Sequence, residues 1–353
     1  MESVFKGRGA EINPKNRFEK LHIEILDDHL QHMEDTGEER ILKTEFFNDH
    51  SKSILSKNDS PDLGFDYSIN PYKGCEHGCI YCYARPTHEY LGFSSGIDFE
   101  TKIMIKKNAP ELLEKEFQSK SWEPQLVIFS GNTDCYQPIE RKLQITRKCL
   151  EVFLKYKNPV GMITKNALIK RDADILQDMA KQGLCAVTIS ITSLNKDIRR
   201  VMEPRTSTPA QRLETVKYLS DLGIPVGVNI GPIIPGLTDE EIPGLVKAAA
   251  DNGAYTTNTI LLRLPWQVKE LFCTWVETHF PTKKEKILNR IKDVRGGTLY
   301  NSNFGERFKG EGKWPELIKQ IHDQARKKHG LGMKKITLRT DLFDRNYFQE
   351  KLF

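Results

Sequence analysis

Between residues 65 and 279 the chain alternates short β-branched runs with longer amphipathic stretches, and this rhythm constrains the fold more than any other feature. Strands are expected at 65–70, 125–129, 161–164, 186–191, 226–230 and 257–262. Helices are expected at 110–117, 139–156, 167–181, 209–222, 239–252 and 268–279, with Gly223 well placed to end the one before it. Six strand–helix units imply a parallel sheet joined by right-handed crossovers. The expected fold class is therefore α/β, a partial (β/α)6 TIM-like barrel over 65–280, with an N-terminal extension at 1–64 and a helical C-terminal tail or cap at 281–353. A further strand is expected at 21–26, a polar connector at 51–63 and a tail helix at 314–328. Active sites of such sheets lie at the C-terminal ends of the strands, so the loop following the first strand belongs there.

That loop carries three cysteines, Cys75, Cys79 and Cys82, in a C-x3-C-x2-C run. Three thiolates at this spacing can hold three corners of a 4Fe–4S cube, which normally takes four cysteines. No fourth cysteine is near, which leaves one iron open to a small molecule. The alternative is a zinc site completed by His77 or His88.

Composition narrows the classes further. The 353 residues are 38% hydrophobic and 29% charged, enough for one large domain or two smaller ones. No run of about eighteen apolar residues occurs, so no membrane span is expected. The N-terminus lacks the apolar stretch of a signal peptide, so the cytoplasm is the expected location. The other four cysteines, Cys135, Cys149, Cys185 and Cys273, show no pairing rhythm, against a secreted disulfide framework. A net charge of +5 suits nucleic acid without pointing to it.

With Tyr81 before the last cysteine, the triplet resembles the C-x3-C-x-aromatic-C hallmark of the radical S-adenosylmethionine (SAM) superfamily. The resemblance implies a 4Fe–4S cluster whose open iron takes the amino and carboxylate groups of SAM. It also implies a one-electron reductant such as flavodoxin or ferredoxin, and release of a 5′-deoxyadenosyl radical. Gly131, Asn132 and Thr133 stand where the superfamily contacts the methionine amino group, though the usual glutamate is absent and a polar turn would look the same. Lys165 and Ser190, at strand ends, and Glu203, in a Glu-Pro pair, are placed as in the photolyase-like, spore photoproduct lyase-related subgroup. The resemblance makes them cofactor contacts; a surface lysine, a satisfied sheet serine and a helix-end ion pair are the plainer alternatives. The stretch from Gly231 to Gly236 is similar to one whose backbone touches adenine, which adds Ile233 and Gly236.

The same subgroup is suggested by Thr133-Asp134-Cys135-Tyr136-Gln137-Pro138-Ile139-Glu140, by Gly7-Arg8-Gly9-Ala10, Asn13-Pro14 and Asn16-Arg17-Phe18, and by Leu338-Arg339-Thr340-Asp341-Leu342-Phe343. The subgroup's lyase carries a hydrogen-donor cysteine in the loop where this chain has Gly131 and Asn132, and Cys135, a few residues further on, is either a hydrogen-atom relay or a packing residue. The resemblance implies a substrate such as DNA or RNA, with a peptide, protein or small molecule as the alternative, and a structural zinc or non-catalytic iron–sulfur protein as the third. Tyr300, Phe304, Arg307, Phe308, Lys309 and Trp314 interleave rings and charges, either to grip a strand or to cap the barrel.

Overall fold

All six expected parallel strands form, and they lie side by side in sequence order. The computed structural model describes residues 7–18, 43–333 and 336–346; the strand expected at 21–26 falls outside them. In chain order the strands are β1 (Glu45–Asn48), β2 (Leu55–Lys57), β3 (Tyr67–Ile69), β4 (Tyr72–Lys73), β5 (Lys102–Ile105), β6 (Val127–Phe129), β7 (Val160–Thr164), β8 (Cys185–Ser190), β9 (Val226–Ile233) and β10 (Thr256–Leu261). The large sheet runs β10-β9-β8-β7-β6-β3-β2, parallel throughout except for β2, which pairs antiparallel with β3 at one edge. Its two edges do not pair with each other, so the barrel is open. A second, three-stranded sheet, β1-β5-β4, is not legible in the sequence pattern.

The parallel strands are buried because helices cover them. Val127, Phe129, Val160, Met162, Val187, Ile189, Val226 and Val228 all lie in one core with helix residues Leu113, Phe117, Leu150, Phe153, Leu176, Met179 and Val246. Gly161 lets β6 and β7 approach: a Cβ there would stand 2.5 Å from Ile128 Cδ1. The tail packs onto the same core. Phe343 meets the rings of Phe117 and Tyr156, and the helix Lys313–Lys328 ties back to β10 through a 2.9 Å bond between His322 Nε2 and Thr257 Oγ1.

Three differences from the sequence pattern have physical causes. The helix expected at 139–156 is two, Glu140–Leu143 and Ile145–Tyr156, because Glu140 turns its carboxylate onto the N–H groups of Ile145 (3.1 Å) and Thr146 (3.1 Å), and Gln144 takes φ 54° between them. The segment expected to be helical from 167 starts as a 3₁₀ turn, Ala167–Asp172, capped by the Asn166 side chain, and becomes α-helical at Ala173–Lys181. An unexpected short helix, Lys196–Met202, is capped by Asn195, whose Oδ1 accepts from Asp197 N (2.8 Å) and Ile198 N (3.2 Å).

Two buried histidines make the fold acid-sensitive. Burial holds His88 and His322 neutral, each with its pKa lowered to about 4. The unfolded chain takes up these protons near pH 6.5, so between pH 6.5 and 4 it binds more protons than the folded chain and stability falls with pH. We expect the urea midpoint of the apoprotein to drop across that window, and His322→Gln, which keeps a partner for Thr257, to flatten the drop. A midpoint constant from pH 6.5 to 4 would contradict this.

Candidate active site

The cysteine loop begins at Gly74 (φ 79°) and turns again at Gly78 (φ 67°), two left-handed positions that bring three thiols round one bend. It is held from beneath by one fully buried guanidinium. Arg85 Nε donates to Cys79 O (3.0 Å), Nη1 to Ser95 O (3.2 Å) and Gly96 O (3.0 Å), and Nη2 to Gly78 O (3.3 Å) and to Glu100 Oε1 (2.5 Å). Glu100 in turn accepts the backbone N–H groups of Arg8 (2.7 Å), Gly9 (3.1 Å) and Ala10 (2.8 Å). Gly9 lies so close to the loop that a Cβ on it would stand 1.8 Å from Gly78 O. The N-terminal Gly-Arg-Gly-Ala run is therefore a strap over the cysteines.

From the barrel side a second set of residues fixes the same loop. Asp134 accepts from Thr164 Oγ1 (2.8 Å), Tyr136 N (2.9 Å) and Lys165 N (2.8 Å) and faces His77 Nδ1 at 3.4 Å. Burial opposes its charge, but His77 and these N–H groups outweigh burial and hold its pKa at about 2. Gln137 accepts from Glu76 N (3.0 Å) and donates to Gly74 O (3.2 Å). Glu76 accepts from Arg205 Nη1 (3.0 Å), Thr44 Oγ1 (3.1 Å) and Ile139 N (2.9 Å).

Cys75 and Cys79 are buried and Cys82 is half-buried, all three are free of disulfides, and the Cys75 thiol accepts the backbone N–H of His77. Burial raises the Cys75 thiol and pushes Cys79 up to about 12, so their thiolates need a cation to form. Among the described residues no three His, Cys, Asp or Glu side chains converge on a point that one metal ion could occupy. A zinc ion requires that convergence, whereas a cube spreads its cysteines over separate irons. Of the two histidines that would complete a zinc site, His77 is engaged with Asn166 Nδ2 (3.1 Å) and Asp134, while His88 is anchored through Nε2 to Lys102 O (2.9 Å) between the rings of Phe93 and Phe99, with its Nδ1 buried and unpartnered among the described residues. The donor set fits an iron–sulfur cube with one corner open.

Residues 69–249, just over half of the chain, match the Radical SAM superfamily. The chain belongs to this superfamily. An uncharacterized protein of Mycobacterium tuberculosis is 32% identical over 246 residues, covering 69% of this chain and 71% of its own length. Another, from Methanocaldococcus jannaschii, is 28% identical over 229 residues, 64% of this chain and 81% of that protein. Among solved structures, a spore photoproduct lyase complexed with dinucleoside spore photoproduct aligns with a TM-score of 0.58 over 86% of this chain and 91% of its own, at 15% identity. At that identity the likeness is one of fold. Membership makes the chain a radical SAM enzyme, and the open parallel sheet is the partial barrel expected of it. No described helix is long and apolar enough to cross a membrane.

The remaining residues singled out from the sequence of this radical SAM enzyme fall into four sets. Tyr81, Lys165 and Glu203 meet beside Cys79. The Tyr81 hydroxyl donates to Glu203, which also accepts from Thr192 Oγ1 (2.8 Å) and pairs with the fully buried Arg212; Lys165 Nζ lies 5.9 Å from the Tyr81 ring centre. Burial works against the Glu203 carboxylate, yet Arg212 and Lys165 bring its pKa down to about 2. Glu203 thus holds Tyr81, Thr192 and Arg212 together beside Cys79. Gly131, Asn132 and Thr133 line the turn after β6. The Gly131 carbonyl accepts from Tyr83 OH (2.5 Å), Thr133 Oγ1 donates to Tyr72 O (2.6 Å), and the Asn132 side chain has no partner among the described residues. Ser190 ends β8, and its hydroxyl has no hydrogen bond among the described residues. Ile233 and Gly236 are set back: Ile233 lies in the main core, and a Cβ on Gly236 would meet Ile287 Cα at 3.6 Å, while Ile234 joins the apolar cluster of Cys79 and Tyr81.

Cys135 is fully buried in the main core, with its N–H donated to Ser130 Oγ (2.8 Å) and its carbonyl accepting from Thr146 Oγ1 (2.8 Å). These are the surroundings of a packing cysteine. Sequence reasoning missed Arg85, Glu100, His77, Gln137 and Arg212 as supports of the site. Position is the signal for two of them, since Arg85 lies three residues after Cys82 and Gln137 belongs to the motif after β6.

Proposed function

We propose that this protein cleaves SAM reductively at a 4Fe–4S cluster held by Cys75, Cys79 and Cys82, and that the radical released abstracts hydrogen from a nucleic acid. The observation that carries the first part is the trio of free cysteines on a loop clamped by Arg85 and Glu100. A bound cluster would supply the single electron, at its open iron, that breaks the sulfonium bond. Lys165 is the cation available to the SAM carboxylate, and Asn132 and Ser190 offer unpartnered polar groups to its amino and ribose ends. Tyr81, fixed by Glu203, and the apolar side chains of Ile234, Leu262 and Leu264 shield the space beside Cys79 from water.

Support for a nucleic acid is the fold shared with spore photoproduct lyase, which has been solved with AdoMet and a dinucleoside photoproduct bound. A flavodoxin- or ferredoxin-type donor in the cytoplasm would supply the electron. Anaerobic reconstitution should load about four irons and four sulfides per chain, and reduction in the presence of SAM should yield 5′-deoxyadenosine. Oligonucleotides deuterated on sugar and methyl carbons should then pass label into that product. A colourless, zinc-loaded protein without SAM cleavage would overturn the first part, and label arriving only from peptides or small molecules would overturn the second.

A further inference from the structure

Arg263 follows β10 at its C-terminal end, where the barrel opens. Its guanidinium has no hydrogen bond and no ion pair among the described residues, and its Nε is buried without a partner. It is held instead between two rings, 5.6 Å from the centre of Tyr83 and 4.6 Å from that of Phe308. Tyr83 is the neighbour of Cys82 and its hydroxyl reaches Gly131 O, so Arg263 stands at the rim of the cysteine loop. Outward from Phe308 the alternation continues, with Arg307 5.0 Å from the Phe308 centre and 4.6 Å from that of Phe304, which is 60% exposed.

This row is built into the fold. Phe308 O accepts from Leu261 N (3.0 Å), extending the end of β10, and Arg295 Nη1 and Nη2 donate to Glu306 O (3.0 Å) and Leu262 O (2.6 Å). Asp62 lies near both Arg263 and Arg307, but its oxygens are taken by Gly305 N (2.6 Å) and Arg307 Nε (2.6 Å). Glu306 is bonded to Asn301 and Asn303. Arg307 is therefore neutralised and Arg263 is not. An unpaired, half-buried cation is unfavourable unless a ligand anion completes it. Faces of rings and guanidiniums about 5 Å apart suit planar groups in series. Phosphates alternating with planar bases are the chemistry of a single-stranded nucleic acid.

We propose that Tyr83, Arg263, Phe308, Arg307 and Phe304 form a track that leads a single nucleic-acid strand to the cysteine loop, with Arg263 taking a phosphate and Phe304 stacking a base. This rests on the nucleic-acid reading above. The test is fluorescence anisotropy of a labelled mixed-sequence single-stranded oligonucleotide with the anaerobically reconstituted enzyme, titrated over a range of salt. Wild type should bind with an affinity that falls as salt rises. R263Q should bind about tenfold more weakly, with the log–log salt slope reduced by about one. R263K should restore the slope but not the full affinity, because it keeps the charge and loses the plane. F304A, at an exposed position, should bind about fivefold or more weakly with the slope unchanged. K217Q, remote on the helix Pro209–Asp221, should bind as wild type.

Wild-type binding by both R263Q and F304A would overturn the track, as would capture of a poly-glutamate peptide in place of the oligonucleotide. The two readings fail separately. Wild type that passes label from oligonucleotides into 5′-deoxyadenosine, with R263Q and F304A binding as tightly as wild type, sinks the track alone. Loss of oligonucleotide binding in R263Q, in a loaded protein that never cleaves SAM, sinks the radical reading and leaves the track standing.

Discussion

Cys79→Ala will reduce SAM cleavage to background and remove the cluster's visible absorbance, while Cys135→Ala will leave both in place. Losing an outer partner of a metal ligand costs roughly 10–100-fold, and losing a ligand itself costs more. Cys79 also sits in the apolar cluster with Tyr81 and Ile234. Cys135 is equally buried but lies in the other core, among Phe129, Tyr136 and Leu150. Removing its sulfur leaves a small void, for an expected loss of about 1–2 kcal/mol in stability. Iron and acid-labile sulfide content, with 5′-deoxyadenosine measured by chromatography, separate the two variants. Cleavage surviving in Cys79→Ala would remove the cluster from Cys79, and an intact cluster with product formation lost in Cys135→Ala would reinstate the relay.

The contrast between these cysteines marks how far the sequence could be read. The triplet was legible because it is local: three cysteines within eight positions, with Gly74 before them and Gly78 among them, form a pattern that needs no knowledge of the fold. The strands were legible because runs such as Val-Thr-Ile and Val-Gly-Val have a composition that only a buried sheet uses. What could not be read depends on long-range pairing. Glu140 looks like one more helical glutamate until Tyr72 and Arg171 arrive on its carboxylate and it breaks the helix at Gln144. The small β1-β5-β4 sheet has strands of two to four residues, too short for a period to show. Glu203 was expected to meet a ligand because its motif is familiar, but the partner that uses it, Arg212, lies on the next helix and points back under β8, where its Nη1 donates to Ser190 O (2.9 Å). A charged residue in sequence carries no sign of whether it will be buried, and charged side chains are rarely buried unless paired.

Glu100→Ala should be the most damaging single substitution outside the cysteines. It removes the acceptor of three N-terminal backbone N–H groups and leaves Arg85 fully buried with no counter-charge. Breaking a buried pair from one side costs about 3–5 kcal/mol, a large share of the roughly 5–15 kcal/mol that stabilises a typical fold. Glu100→Gln should lose less, since its amide oxygen still accepts from the strap. Replacing both partners, as in Arg85→Met with Glu100→Leu, should recover stability, because two apolar groups leave no buried charge behind. It should not recover the cluster: Arg85 also holds the carbonyls of Gly78 and Cys79, and neither methionine nor leucine can donate to them. The urea midpoint and the iron retained after desalting therefore move apart in the double variant, with stability returning and iron staying low. A double variant that holds iron as well as wild type would show that Arg85 supports only the fold, and that the glycine turns and the residues around Asp134 are enough to align the thiols.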